Sequence, residues 1–360
     1  MRLAPAAATR EDGAMVRRSH RVRDVAEQAG LSEATVDRVL HGRAGVSPRA
    51  VRAVEAAVLE LDRQQVQVRL ARRTLLVDVV LDAPGRFRDA VTAAVEEALP
   101  SVRPATVRAR FTMSEGAAPQ ELAVAVDAVG TGGRVSGGLV LKAPDHPAVA
   151  DAVRRARARG IPTVTLVTDV SGSDRVAYVG LDNAAAGATA AYLLARLIGG
   201  SAGAVLVTVS HRSFLGEQER VAAFRAQLAA EQPGREVLVV GDLHGDDAAT
   251  ERAVGAALTR GPRVAAVYSV GGGNAGVAAA LAAAGAAGVP FVGHDLDADN
   301  LALLRTGVLT AVLHHDLRAD LRAALTQLLR AHRLLPGAPA SVHSPPQAVT
   351  PMNVPPRLRG

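Results

Sequence analysis

The 360-residue chain has no cysteine and no tryptophan, and aromatic residues make up only 2% of it. Without cysteine there is no disulfide, no thiolate metal ligand and no cysteine nucleophile. Scarce aromatics argue against the stacking platforms that grip single-stranded nucleic acid. Lysine is nearly absent: Lys142 stands by itself among 41 basic residues. No apolar run reaches the ~18 residues a membrane-spanning helix needs. The first stretch, 1–14, is Ala-rich but broken by Arg2, Pro5, Arg10, Glu11 and Asp12. It lacks the continuous apolar segment of a secretory signal. A cytoplasmic chain with no membrane partner is the expectation.

Against these absences, hydrophobic residues make up 49% of the chain, enough for a large core. The charge is unevenly placed. The net charge is +6, and residues 1–73 contribute five of those six charges, with 14 Arg against 9 acids. A basic end on a nearly neutral body points to a polyanion partner at that end.

The pattern divides the chain near residue 73. Residues 1–19 read as a disordered leader. Residues 20–63 read as three short helices: Arg23–Ala29, Glu33–Leu40 after the N-cap Ser32, and a third from Ser47-Pro48 to about Leu61. Gly30-Leu31-Ser32 joins the first two in a helix-turn-helix pattern. Residues 64–73 read as a linker. From Leu75 onward, short apolar strands alternate with Ala- and Arg-rich helical stretches up to about Leu313. That alternation predicts parallel sheets covered on both faces. About 280 residues is too many for one sheet, so two doubly wound α/β lobes are expected. Residues 351–360, with three prolines, read as a tail.

The segment from Val22 to Gly42, continued by Val46-Ser47-Pro48, closely resembles the headpiece of lactose-repressor (LacI/GalR) family transcription factors. The resemblance implies an all-α DNA-binding headpiece whose second helix enters the major groove of duplex DNA. By position, Glu33, Ala34 and Arg38 become base readers, while Ser32 and Thr35 hold phosphates. Arg23 lies at the DNA backbone, and Asp37 and His41 complete the set on the second helix and its end. Asp37 stands where the family usually has serine; it can accept from a cytosine amino group or pair with a nearby Arg. In the linker the resemblance makes Leu70, followed by Ala71-Arg72-Arg73, the apolar wedge of a minor-groove hinge helix. The linker lacks the family's usual Tyr and Pro and is about two residues short. The resemblance also implies a homodimer reading a near-palindromic operator.

Residues 74–355 resemble the two-lobed periplasmic sugar-binding-protein-like domain of the same regulators, with 74–350 read as the effector-binding domain. The carriers are Ile161-Pro162-Thr163-Val164-Thr165-Leu166, Val179-Gly180-Leu181-Asp182-Asn183 with Ala186-Gly187, Glu219-Arg220 with Phe224, Val292-Gly293-His294-Asp295, and Thr350 with Asn353-Val354-Pro355. The implied lobes are about 74–181 with 316–342, and about 182–315 with 343–350. A sugar-like effector would lie between them, where strand ends face a cleft. Arg220 and Asp295 are the foremost contacts, with Phe87, Asp169, Gly271, Asn274 and His315 beside them. The whole implies a transcriptional regulator, read as a repressor, that needs no cofactor.

Gly271-Gly272-Gly273-Asn274-Ala275-Gly276 also satisfies the dinucleotide fingerprint G-x-G-x-x-G, and Asp295 follows at nearly the spacing of a ribose-binding acid. A nicotinamide-sensing redox regulator or NAD(P)-binding enzyme is therefore the alternative. His314-His315-Asp316 and His294-Asp295 have no zinc spacing, so no metal is expected. The nucleophile-elbow, kinase and P-loop patterns are missing, and no catalytic residue is expected.

Overall fold

The computed structural model describes residues 20–71, 74–102 and 106–358. They form two compact units dividing at Arg73. The leader 1–19, Arg72, Arg73 and the last two residues lie outside the described part.

The N-terminal unit has three helices, α1 (Val22–Ala29), α2 (Glu33–Leu40) and α3 (Pro48–Ala71). Val25 and Ala26 from α1, Val36 from α2, and Val54, Ala57 and Val58 from α3 form its core. Gly30 ends α1 with φ of 63°, a left-handed value that favours glycine, and its amide closes onto the carbonyls of Ala26 and Glu27. Helix α3 does not stop near Leu61 as expected. It continues through the expected linker, because Leu61–Ala71 contains neither Gly nor Pro and is rich in Gln, Arg and Leu. The side chain of Leu70, the expected wedge, lies outside the described part.

The second unit is two six-stranded sheets. The first contains β1 (Thr74–Asp82), β2 (Thr106–Ser114), β3 (Leu139–Lys142), β4 (Thr163–Leu166), β5 (Ala177–Leu181) and β11 (Val342–Ser344), in the order β11-β5-β4-β3-β1-β2. The second contains β6 (Ala204–Thr208), β7 (Val237–Val240), β8 (Val264–Ser269), β9 (Phe291–His294), β10 (Ala311–His314) and β12 (Gln347–Val349), in the order β12-β10-β9-β8-β6-β7. The inner pairings are parallel, and β12 runs antiparallel to β10. Strands β3, β4 and β5 are buried along their whole length, as sheets covered on both faces require.

Each sheet has its own core. Leu139, Leu141, Val149 and Val153 anchor the first, and Leu194, Val207, Phe224 and Tyr268 the second. The chain crosses between lobes at 181–183, 314–317 and 344–347. Strand β11 carries the first lobe to Ser344, two residues past the expected boundary, because its register on β5 runs from Val342 to Ser344. Residues 351–358 are not a trailing tail. Val354 is buried in the second lobe's core, a short 3-10 turn spans Pro356–Leu358, and Arg357 Nη1 pairs with Asp316 at 2.9 Å.

Candidate functional site

In the N-terminal unit, Ser32 caps α2: its Oγ accepts from the Thr35 amide and meets Thr35 Oγ1 at 2.8 Å. Glu33, Ala34, Arg38 and His41 are exposed on α2 and its end, with Thr35 and Asp37 half-buried beside them. Arg23 is exposed on α1. Two alternatives stood open for Asp37. Here Asp37 Oδ2 accepts from Arg43 Nη1 at 2.9 Å, and Oδ1 lies 2.9 Å from His41 Nδ1. The acid that would repel phosphate is thus paired within its own helix-turn. Arg43, five residues beyond Arg38, was not singled out from sequence. It is visible there only as one more arginine.

In the second unit, the carboxyl ends of the strands face a cavity of about 300 Å³ between the lobes. Lys142 ends β3, Val167 follows β4, Ser210 follows β6, Gly271 follows β8, Asp295 follows β9, and His314 and His315 leave β10; all line the cavity. Val167 and Asp295 both have left-handed backbone, with φ of 65° and 63°. For a β-branched residue such as Val167 this is a strained conformation, of the kind that persists where surroundings over-determine it. Val167's carbonyl is held by Tyr178 Oη at 3.1 Å and Asn183 Nδ2 at 3.3 Å.

The lobes touch across the cleft. The amide of Asp145 donates to Ser213 O at 2.8 Å, and that of Gly216 to Thr168 Oγ1 at 3.1 Å. Arg86 on α4 (Gly85–Ala98) reaches Asp297 of the other lobe at 3.2 Å.

Charges inside the cavity are strongly perturbed. Arg220, on the helix Leu215–Glu231, is only 4% exposed; Nε donates to Asn183 Oδ1 and Nη1 to Val270 O, both at 2.8 Å. Burial pushes the Lys142 ammonium down to about 8, with Glu217, Asp82 and Asp295 opposing the shift. Burial pushes the Glu217 carboxyl up, against amide hydrogen bonds from His211 and Ser210. Burial also holds His294 well below its ordinary range, and takes His314 and His211 down to about 4. His315 is tied to Asp320 by a 2.5 Å contact at Nδ1, while Nε2 lies 3.7 Å from Asp295 Oδ1. Asp320 in turn accepts from Ser344 on β11, so two lobe crossings meet at one carboxylate.

The structure brings Phe87, Arg220, Gly271, Asp295 and His315 to the cavity and leaves Asp169 and Asn274 off its lining. Asp169 is turned away into an ion pair with Arg175 and accepts from Thr165 Oγ1. Asn274 is buried behind the cavity, donating to Asn300 Oδ1 at 2.8 Å. Lys142, Glu217, Phe214 and Arg86 line the cavity and were not singled out from sequence. The solitary lysine was the available signal for the first; the others look like ordinary helix residues.

The glycines of the G-x-G-x-x-G loop serve close packing. A Cβ on Gly276 would lie 2.0 Å from Asp247 O, and one on Gly272 would lie 2.3 Å from an Arg86 nitrogen. The loop's amides are engaged as well: Gly272 N donates to Ser210 Oγ and Gly276 N to the Asp247 carboxylate. An acid already sits at the helix start where a pyrophosphate would bind.

Residues 79–332 match the family described as periplasmic binding protein domain, and residues 21–63 match bacterial regulatory proteins of the lacI family. Comparison with curated protein sequences gives no match. Among solved structures, the chain is similar to GanP, a glucose-galactose binding protein from Geobacillus stearothermophilus, at 18% identity and a TM-score of 0.70, covering 79% of this chain and 100% of that one. It is similar to a solute binding protein of an ABC transporter from Agrobacterium vitis bound with alpha-D-tagatopyranose, at 19% identity and a TM-score of 0.69, covering 78% and 96%. A solute binding protein from Burkholderia graminis in complex with D-arabinose gives 22% identity and a TM-score of 0.69, covering 77% and 95%. The chain belongs to the periplasmic-binding-protein-domain family and carries a lacI-family headpiece, which makes it a DNA-binding transcription regulator under ligand control.

Proposed function

We propose that the chain works in the cytoplasm as a homodimeric repressor whose operator affinity is set by a sugar-like ligand in the interlobe cleft. A near-palindromic operator follows from two-fold symmetry, with one α2 in each half-site. Arg38 reads bases beside Glu33 and Ala34, Ser32 and Thr35 hold phosphates, and Arg23 contacts the DNA backbone. Arg43 supports reading by keeping Asp37 away from the phosphates.

In the cleft, Arg220 and Asp295 clamp hydroxyls and His315 meets the ligand at the lobe junction. Phe87 offers a ring face to its apolar side. Asp169 and Asn274 act through neighbours, by holding Arg175 and Asn300. The protein performs no chemistry on the ligand. The observation that carries this reading is the set of polar strand ends around one 300 Å³ cavity. The sugar complexes of structurally similar proteins support it.

Ligand can change DNA affinity only through unequal binding to open and closed lobes. A thermal-shift screen of sugars, cyclitols, sugar phosphates and NAD(H), with Arg220→Ala as control, tests the reading. A melting shift from a polyol in the native chain, lost in the variant, supports it. A shift from NAD(H) alone contradicts it.

A further inference from the structure

The chain's single lysine sits in the ligand cavity. Lys142 is 8% exposed, at the carboxyl end of β3. Its Nζ donates to the backbone carbonyl of Asp82 at 2.9 Å. The ammonium lies 3.9 Å from the ring centroid of Phe214 and 5.5 Å from that of Phe87. No carboxylate comes within 4 Å of it among the described residues. The Asp82 carboxylate is occupied elsewhere, by Ser114 Oγ and the Ala117 amide. Arg220, the cavity's other buried cation, is held by an amide oxygen and a carbonyl, again with no carboxylate at ion-pair distance.

The cavity's outer cations differ. Arg86 has Asp297, Arg318 has Glu97, and Arg357 has Asp316. A buried charge without a counter-charge is costly, and a methionine would fill a similar volume without that cost. The same protein uses arginine at every other basic position. Arginine is a planar fork, whereas lysine is a compact point charge on a flexible stem.

We propose that the effector carries an anionic group, a carboxylate or a phosphate, which docks on the Lys142 ammonium between Phe87 and Phe214. This rests on the cleft being the effector site and names the effector's class as a sugar acid or sugar phosphate. The ligand anion supplies a counter-charge at ion-pair distance, where the fold places none. The groups facing Lys142 from neighbouring elements are Asp82 of β1, Glu217 and Arg220 of the helix Leu215–Glu231, and Asp295 beyond β9. Burial raises the Glu217 carboxyl, and its Oε2 is engaged by the amides of Ser210 and His211, not by the ammonium.

One lysine permits a direct test. Reductive methylation of the full chain with carbon-13 formaldehyde labels Lys142 and the terminal amine only, and NMR follows each titration. The probes are D-glucuronate, glucose 6-phosphate, inorganic phosphate and neutral D-glucose. An anionic probe is expected to raise the Lys142 titration midpoint by about one unit or more, and glucose to leave it in place. The carboxylate and phosphate arms separate the two sources of charge. In parallel, Lys142→Met is expected to melt no lower than the native chain and to lose at least tenfold in affinity for the anionic probe, while Lys142→Arg retains part of it.

An unmoved Lys142 with every anion, or unchanged anion affinity in Lys142→Met, overturns the proposal. If glucose shifts the native melting point and no anion does, the cleft remains the effector site and the anionic group is wrong. If no probe, charged or neutral, affects melting or titration, both fall together.

Discussion

The headpiece and the cleft handle charge in opposite ways. On α2, Arg38 stands in solvent, and Asp37 is neutralised locally by Arg43 and lies 2.9 Å from His41 Nδ1. In the cleft, Arg220 and Lys142 are buried and Glu217 is half-buried, and each is held by backbone carbonyls, amides or ring faces. Exposed charges cost the fold little and remain free to meet a polyanion. Buried charges cost more, but they are fixed in place before a ligand arrives. Under the proposed function, one chain reads a long polymer with solvated residues and a small molecule with desolvated ones.

The contrast predicts large effects in the cleft and small ones in the headpiece. Arg220→Ala leaves Asn183 Oδ1 and Val270 O without their buried donor, a loss of about 2–5 kcal/mol of stability together with ligand response. Chemical denaturation measures it, and a change under 1 kcal/mol would break the contrast.

Acid should act next. His294, His314 and His211 titrate below their ordinary value of 6.5 in the folded chain. As pH falls, the unfolded chain therefore takes up protons first. Their contribution is full above about pH 6.5 and is lost as pH drops toward 4, on the order of 3 kcal/mol for His314. Melting temperature should fall over that window, and His314→Asn should flatten the fall. A flat native profile would remove the desolvated half of the contrast.

Arg38→Ala should keep its melting temperature while losing about 1–3 kcal/mol of discrimination per half-site. Equal losses on specific and random duplex would show that Arg38 does not read bases. Smallest of all, Arg43→Ala should release Asp37 and weaken DNA binding by at most about 1 kcal/mol, with partial recovery in the Asp37→Asn double variant. Competition binding at fixed salt resolves both.

The same contrast explains what was legible in the sequence. The headpiece is a contiguous segment, so Ser32, Arg38 and the turn at Gly30 could be placed from local spacing. Most strands from Leu75 to Leu313 were legible because doubly covered strands are short continuous apolar runs; the edge strand β2 is largely unburied and is the exception to that covering. Strands β11 and β12 were not, since Val342–Ser344 and Gln347–Val349 are too short and mixed to show a period. The continuation of α3 past Leu61 was missed because Gln and Arg mark linkers as readily as helices.

The cleft was half legible. Arg220 and Asp295 sit in recognisable segments, but Lys142 and Glu217 come from separate stretches and matter through burial. Asp169 looked like a ligand acid until Arg175, six residues on, proved to be its partner. A charge's role depends on its neighbours in space, which a linear reading meets only when they lie close in the chain.

The central claim is that occupancy of the cleft sets the affinity of the headpiece for DNA. It is tested most directly by measuring operator affinity of the full chain, on a duplex selected from random sequence, with and without a ligand that raises its melting temperature. The account predicts a change of about 5-fold or more in the native protein and none in Arg220→Ala. Equal operator affinity with the cleft empty and saturated would contradict it.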